Sequence, residues 1–379
     1  EFSNDITLNP ALFERVKAVY ARRDSLALTP EQSRLLEKTY KDFARNGAAL
    51  SETDKKTYRE LTAKLSQLTQ KFNQNTLGAT NAFILHTTDS AQVAELPDLV
   101  REGAAAEAKE RNLEGWVVTL QYPSMSPFMM YSSNRELKEK LWKAYNTRAF
   151  GGEFDNSKIV EEIADTRLQV ARLLGYDTYA DYVLEERMAE SAPTVNAFLT
   201  ELLDRAIGAA HADVKSVAEY AAANGFTGEL MPWDFSYYSE KLKNEKYSIN
   251  EELTKPYFKL ENVQAGIFDL AGRLYGISFK ENPDIPVYHP DVKAYEVHDA
   301  DGKFLAVLYM DFFPRASKRG GAWMTEFRSQ SARDGQDTRP LVSLVFNFTK
   351  PTENTPSLLT FDEVSTMLHE FGHSLHGIF

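Results

Sequence analysis

Apolar positions recur at three- and four-residue spacing over most of the first 275 residues, the period of helices that bury one face. Asn9-Pro10 ahead of Leu12, Val16 and Val19 predicts one helix start, and Thr29-Pro30 ahead of Leu35, Leu36 and Tyr40 predicts another. Proline at a first helical position gives up no hydrogen bond. Ser51 with Asp54 resembles a capping box, and Leu61, Leu65, Leu68 and Phe72 carry the next helix to about residue 77. Residues 115–122 read as a short strand and 123–133 as a loop, with helices resuming at Glu136. Helical periodicity then runs through 157–174, 193–224, 234–246 and 261–275, punctuated by Gly175, Pro193, Gly225, Pro232 and Pro256. No segment repeats at a period of about 20–50 residues, so the helices do not form a solenoid.

The texture changes after residue 276. Apolar runs at 294–298 and 304–312 flank Asp299-Ala300-Asp301-Gly302, a hairpin signal, and short strands follow at 320–325 and 341–348. The chain therefore divides into a mostly helical region over 1–275 and a small β-sheet with a last helix over 276–379.

That last helix carries the chemistry. Thr360 and Glu363 form a capping box, and Leu359 and Val364 stand where a hydrophobic staple belongs, so the helix begins at about residue 361. At 100° per residue Phe361, Val364, Leu368, Phe371, Leu375 and Ile378 share one face, and His369, His373 and His376 fall nearly opposite. One face is expected to pack on the core and the other to line a cleft. His369 and His373 are one turn apart, about 6 Å along the axis, so their imidazoles can converge on one metal ion. Glu370, rotated by about 100° from His369, can lie beside that ion without ligating it. In this His-Glu-x-x-His arrangement the carboxylate takes a proton from metal-bound water and delivers it to the departing amine, which is peptide-bond hydrolysis. His376 lies about 10 Å along the axis from His369, too far to serve the same ion, and is expected to be supportive or structural.

Composition narrows the alternatives. The chain has 379 residues, 43% hydrophobic, which is enough for one large core or two lobes. A net charge of −12 leaves no broadly basic face for phosphate backbones, so nucleic acid is not an expected partner. No apolar run reaches the roughly 18–20 residues that span a bilayer, and no membrane association is expected. The absence of cysteine excludes disulfides, thiol catalysis and thiolate metal sites, leaving His and carboxylates as the strong ligands. Position 1 is Glu rather than Met, so the true start is expected to have been removed. The expected compartment is the cytoplasm, with the periplasm as the alternative.

Several motifs taken together resemble the thimet oligopeptidase and neurolysin family of zinc metallopeptidases. They are the run 361–379, the loop Phe312-Phe313-Pro314-Arg315-Ala316-Ser317-Lys318-Arg319-Gly320-Gly321-Ala322-Trp323-Met324, and 340–348 with its Asn347-Phe348. Trp233-Asp234, Tyr237-Tyr238-Ser239-Glu240-Lys241 and Leu173-Leu174-Gly175-Tyr176 add to the likeness, and Leu8-Asn9-Pro10-Ala11-Leu12-Phe13 points to the bacterial peptidyl-dipeptidase branch. The resemblance implies a mainly α, two-lobed, zincin-like peptidase with a small β-sheet beside the zinc-motif helix, and a deep channel that admits short unstructured peptides. It implies one Zn2+ per complete site, His369 and His373 as ligands, Glu370 as general base, and a monomeric intact enzyme. The third ligand and the oxyanion-stabilising residues are expected beyond Phe379, so this stretch alone is expected to be inactive.

The segment Gly320, Gly321, Ala322 and Trp323 has two readings, a substrate-binding strand edge as the family uses or a simple turn. Arg315, Lys318 and Arg319 either attract a peptide's terminal carboxylate or are solvated charges. Three functions remain open: release of C-terminal dipeptides, internal cleavage of short peptides, and non-catalytic peptide binding.

Overall fold

The computed structural model describes residues 2–333 and 335–379. The helices, in chain order, are α1 (Phe2–Thr7), α2 (Pro10–Ala21), α3 (Pro30–Phe43), α4 (Glu52–Ala82), α5 (Asp98–Glu110), α6 (Tyr122–Tyr131) and α7 (Arg135–Asn146). They continue with α8 (Ser157–Leu173), α9 (Tyr179–Leu184), α10 (Ala192–Ala223), α11 (Pro232–Tyr247), α12 (Glu251–Thr254), α13 (Leu260–Tyr275) and α14 (Phe361–Ile378). The strands are β1 (Ile84–Thr87), β2 (Trp116–Thr119), β3 (Ser278–Glu281), β4 (Val292–His298) and β5 (Phe304–Asp311), then β6 (Trp323–Arg328), β7 (Ser331–Arg333), β8 (Gln336–Thr338) and β9 (Leu341–Val345). The protein is mainly α with a small mixed sheet, as its periodicity predicts.

Two compact units account for the chain. One comprises Glu1–Thr76 with Ala149–His211, and its interior is built from two small clusters, Leu8 with Tyr58 and Val170, and Phe13 with Phe43 and Ala48. Its helices begin where the cap signals place them: the Asn9 side chain accepts from Leu12 N, and Thr29 and Gln32 close a reciprocal capping box.

The other unit comprises Leu77–Arg148 with Ala212–Phe379. Around β1 and β2, which pair antiparallel, Val118, Leu120, Phe128, Met129, Leu141 and Trp233 form one core. Residues 122–131 are helical here, not the loop that their two prolines suggest. Pro123 falls in the first turn, where no N–H is needed, and burial of Pro127, Phe128 and Met129 offsets the hydrogen bond lost at Pro127.

A five-stranded sheet in the order β3-β4-β5-β9-β6 supports the second core of this unit. Only β5 and β9 run parallel; the other neighbours are antiparallel. The predicted hairpin joins β4 to β5, with the Asp299 carboxylate accepting from Asp301 N and Lys303 N, and Gly302 at φ +79. Helix α14 packs on β9, β6 and β5, and Leu308, Met310, Leu344, Phe346, Met367, Phe371 and Ile378 fill the space with Leu260 and Ile267 of α13. Among the described strands β6 pairs with β9 alone and is therefore a sheet edge.

Candidate metal-binding site

Helix α14 is capped as its sequence predicts. Thr360 Oγ1 accepts from Glu363 N at 3.1 Å, and the Glu363 carboxylate accepts from Thr360 N at 2.8 Å. Leu359 and Val364 join the same hydrophobic cluster. The buried Glu363 carboxylate also accepts from Thr349 N at 2.8 Å and Thr349 Oγ1 at 3.1 Å. Burial pushes its pKa up, outweighing these hydrogen bonds, which favour the anion.

The face that α14 buries is rotated from the one its apolar residues outline. Phe361 is 65% and Leu368 44% exposed, whereas Glu363, Met367, Glu370, Phe371, Ser374, Gly377 and Ile378 are buried. Close approach to the sheet explains the difference. A Cβ on Gly377 would come within 2.8 Å of Met324 Cε, 2.9 Å of Glu326 Oε1 and 3.3 Å of Val342 Cγ2, so small residues, not large apolar ones, line the tightest contact.

His369 and His373 lie exposed on the side away from the sheet, their rings perpendicular with centroids 4.8 Å apart and their Nε2 atoms 3.1 Å apart. Two imidazoles sharing one tetrahedral ion at about 2.0–2.1 Å hold their nitrogens roughly 3.3 Å apart, so the observed separation fits a common metal. Glu370 sits on the adjoining face, 9% exposed. No described residue donates a hydrogen bond to its carboxylate. His376 is exposed on the same side as the other two histidines. Among the described residues no third His, Cys, Asp or Glu joins them in a group able to hold an ion.

The sheet edge beside this helix is fixed from two directions. Gly321 adopts φ +95, a conformation that favours glycine, so Gly320 and Gly321 make a turn and the strand proper begins at Trp323. Asn347 Nδ2 donates to Arg319 O at 3.0 Å and Gly321 O at 2.7 Å across that turn. Ala322 and Trp323 are half-buried, and Arg319 lies over the Trp323 ring at 4.6 Å.

Neither reading of the preceding cations survives for Arg315 and Lys318. Both bind Asp311, a fully buried carboxylate at the end of β5. Arg315 donates to both its oxygens at 2.8 Å, Lys318 Nζ donates to Oδ1 at 2.9 Å, and Tyr288 Oη donates to Oδ2 at 3.1 Å. Lys318 Nζ also donates to Asp311 O and Phe313 O, which pins the turn after β5. Burial opposes ionisation of Asp311, but the hydrogen bonds from Arg315 and Lys318 prevail and hold its pKa below the usual carboxylate value. Burial lowers the Lys318 pKa as well, outweighing the contacts with Asp311 that favour its charged form.

Helix α14, bearing His-Glu-x-x-His, thus packs beside β6, a sheet edge among the described strands. Residues 128–379 match Peptidase family M3, and the chain belongs to that family. It is 36% identical to oligopeptidase A of Escherichia coli (strain K12), covering 99% of this chain and 56% of that protein. It is 38% identical to dipeptidyl carboxypeptidase of the same organism, covering 100% of this chain and 56% of the relative, and 30% identical to saccharolysin of Saccharomyces cerevisiae, covering 100% and 55%. The chain thus spans about half the length of the curated relatives it matches. Among solved structures, PZ peptidase A with inhibitor 2 aligns over 96% of this chain and 50% of its own at a TM-score of 0.42 and 15% identity.

Proposed function

We propose that His369 and His373 are two protein ligands of a catalytic zinc ion, that Glu370 is its general base, and that the protein containing this chain releases dipeptides from the C-termini of short unstructured peptides. The observation that carries this reading is the 3.1 Å approach of the two Nε2 atoms on successive turns of α14. Membership of a family that is in general zinc-dependent supports the choice of metal. A bound zinc ion would polarise the scissile carbonyl and lower the pKa of a water molecule to about 7.

The protein's own groups supply the rest. Glu370 has no donor among the described residues competing for its carboxylate, so it is free to take the water's proton and pass it to the amine nitrogen as the C–N bond breaks. The free edge of β6 offers main-chain N–H and C=O groups with which an extended peptide can pair, and Gly320, Gly321, Ala322 and Trp323 shape the approach to it. Such pairing requires a peptide without folded structure. Residues 276–379 would then form the start of the catalytic region and 1–275 the wall of a channel. A third protein ligand would come from polypeptide outside the described residues, since none of these completes the set.

Internal cleavage of short peptides is the second reading, supported by the similar identity to oligopeptidase A. Mass spectrometry of the products from an N-terminally blocked tetrapeptide, using protein expressed from the complete gene, separates the two. A C-terminal dipeptide is the expected product. Cuts at other bonds would favour the oligopeptidase reading, and intact peptide with zinc present would leave non-catalytic peptide binding.

A further inference from the structure

The geometry points to residues 347–349 as a joint that sets the substrate strand and the metal-binding helix relative to each other, with Asn347 and Glu363 as positioning residues. This inference rests on the zinc-peptidase reading above. Asn347 donates to the carbonyls of Arg319 and Gly321, on either side of the turn that leads into β6. Two residues later Thr349 donates through both its backbone N–H and its hydroxyl to Glu363 Oε1, while Glu363 Oε2 accepts from Thr360 N. One short segment therefore grips both halves of the site.

The segment itself has little freedom. Phe346 and Phe348 are buried in the core, and their N–H groups bond to Asp311 O at 2.7 Å and Phe312 O at 2.9 Å, extending the β5–β9 pairing. Glu363 lies six residues before His369 on a continuous helix, about 9 Å along its axis. A displacement at Glu363 is thus carried to the two histidines as a rigid-body shift. Its burial means that each lost hydrogen bond leaves a polar group that water does not reach. Replacement by Gln would set an amide NH2 against an N–H donor, so the substitution is not neutral despite its similar shape.

The test measures two constants on protein expressed from the complete gene: the zinc Kd by competition with a chromophoric chelator, and KM with kcat for a blocked tetrapeptide at saturating zinc. Asn347→Ala is expected to raise KM about tenfold with the zinc Kd within about twofold, since two hydrogen bonds to the turn are lost. Glu363→Gln is expected to weaken zinc about tenfold with KM at saturating zinc within about twofold. Thr349→Val, which removes one donor and keeps the fold if Glu363→Gln does not, is expected to weaken zinc about fivefold, and Thr349→Ser to restore it. A purely structural role would lower Tm and leave both constants in place, and that result overturns the joint. Variants of Asn347 and Glu363 that shift the same constant overturn it equally. A wild-type protein that binds no zinc and cuts no peptide overturns the underlying reading, and the joint with it.

Discussion

Asp311→Ala should be among the most damaging single substitutions near the site, although the side-chain partners of Asp311 all lie outside the metal helix. The carboxylate is fully buried and accepts from Arg315, Lys318 and Tyr288. Removing it leaves Lys318, whose side chain is 3% exposed, and Arg315, at 18%, without their counter-charge. Breaking a buried pair from one side costs about 3–5 kcal/mol, and the lost Tyr288 hydrogen bond adds little, because that half-exposed hydroxyl keeps Ser343 Oγ at 3.5 Å. Lys318→Met should cost less, about 1–2 kcal/mol, because Asp311 keeps its bidentate partner Arg315 and only the ammonium's bonds to Asp311 and Phe313 are lost. Urea unfolding followed by circular dichroism reads both values. For a folding unit of about 150–250 residues a loss of 3 kcal/mol corresponds to a fall in Tm of roughly 6–12 °C. The linkage has a definite sign: a carboxylate with a depressed folded pKa contributes stability that is present above its unfolded value of about 3.9 and is lost as pH falls through the folded value. The gap between wild type and Asp311→Ala should therefore narrow below pH 4. A loss under 1 kcal/mol for Asp311→Ala, or equal losses for the two variants, would refute the reasoning.

Further expectations follow the same logic. Glu370→Gln should retain zinc while hydrolysis falls by about 10²–10⁴, as measured by metal analysis beside a peptide assay. Gly321→Ala, at φ +95, should cost about 1–2 kcal/mol and raise KM, whereas free tolerance of alanine would remove the case for a constrained turn. Lys138 is 2% exposed, and burial pushes its pKa down to about 8. Folded protein sheds that proton near pH 8 and unfolded protein near 10.4, so wild-type stability should rise relative to Lys138→Met between those values; a flat difference from pH 8 to 10 would contradict this. Thr360→Ala should cost about 0.5–2 kcal/mol in thermal or urea unfolding through loss of the α14 cap.

What the sequence made legible was local and chemically marked. Asn9, Thr29 and Thr360 each cap the helix they announce, Asp299 and Gly302 make the expected hairpin, and His369 and His373 meet as their spacing requires. What escaped depended on distant partners. Strand β1 has only four residues and acquires its identity by pairing with β2, which follows only after helix α5. Residues 122–131 carry two helix-breaking prolines, but the apolar core around Phe128 and Met129 overrides that local preference. The orientation of α14 departs from the apolar wheel, because the sheet makes its closest approach at Gly377 and leaves Phe361 and Leu368 exposed. The pairing of Asp311 with Arg315 and Lys318 has one local signal, a charged residue closing the strongly apolar run Phe304–Asp311.

Zinc stoichiometry is the most direct test of the central claim, measured by atomic absorption after exhaustive dialysis on protein from the complete gene and on its His369→Ala variant. The account predicts about one zinc per wild-type chain and almost none in the variant, with folding of both verified by circular dichroism. Equal zinc in the two proteins would contradict it, because a metal indifferent to His369 is not held by this helix.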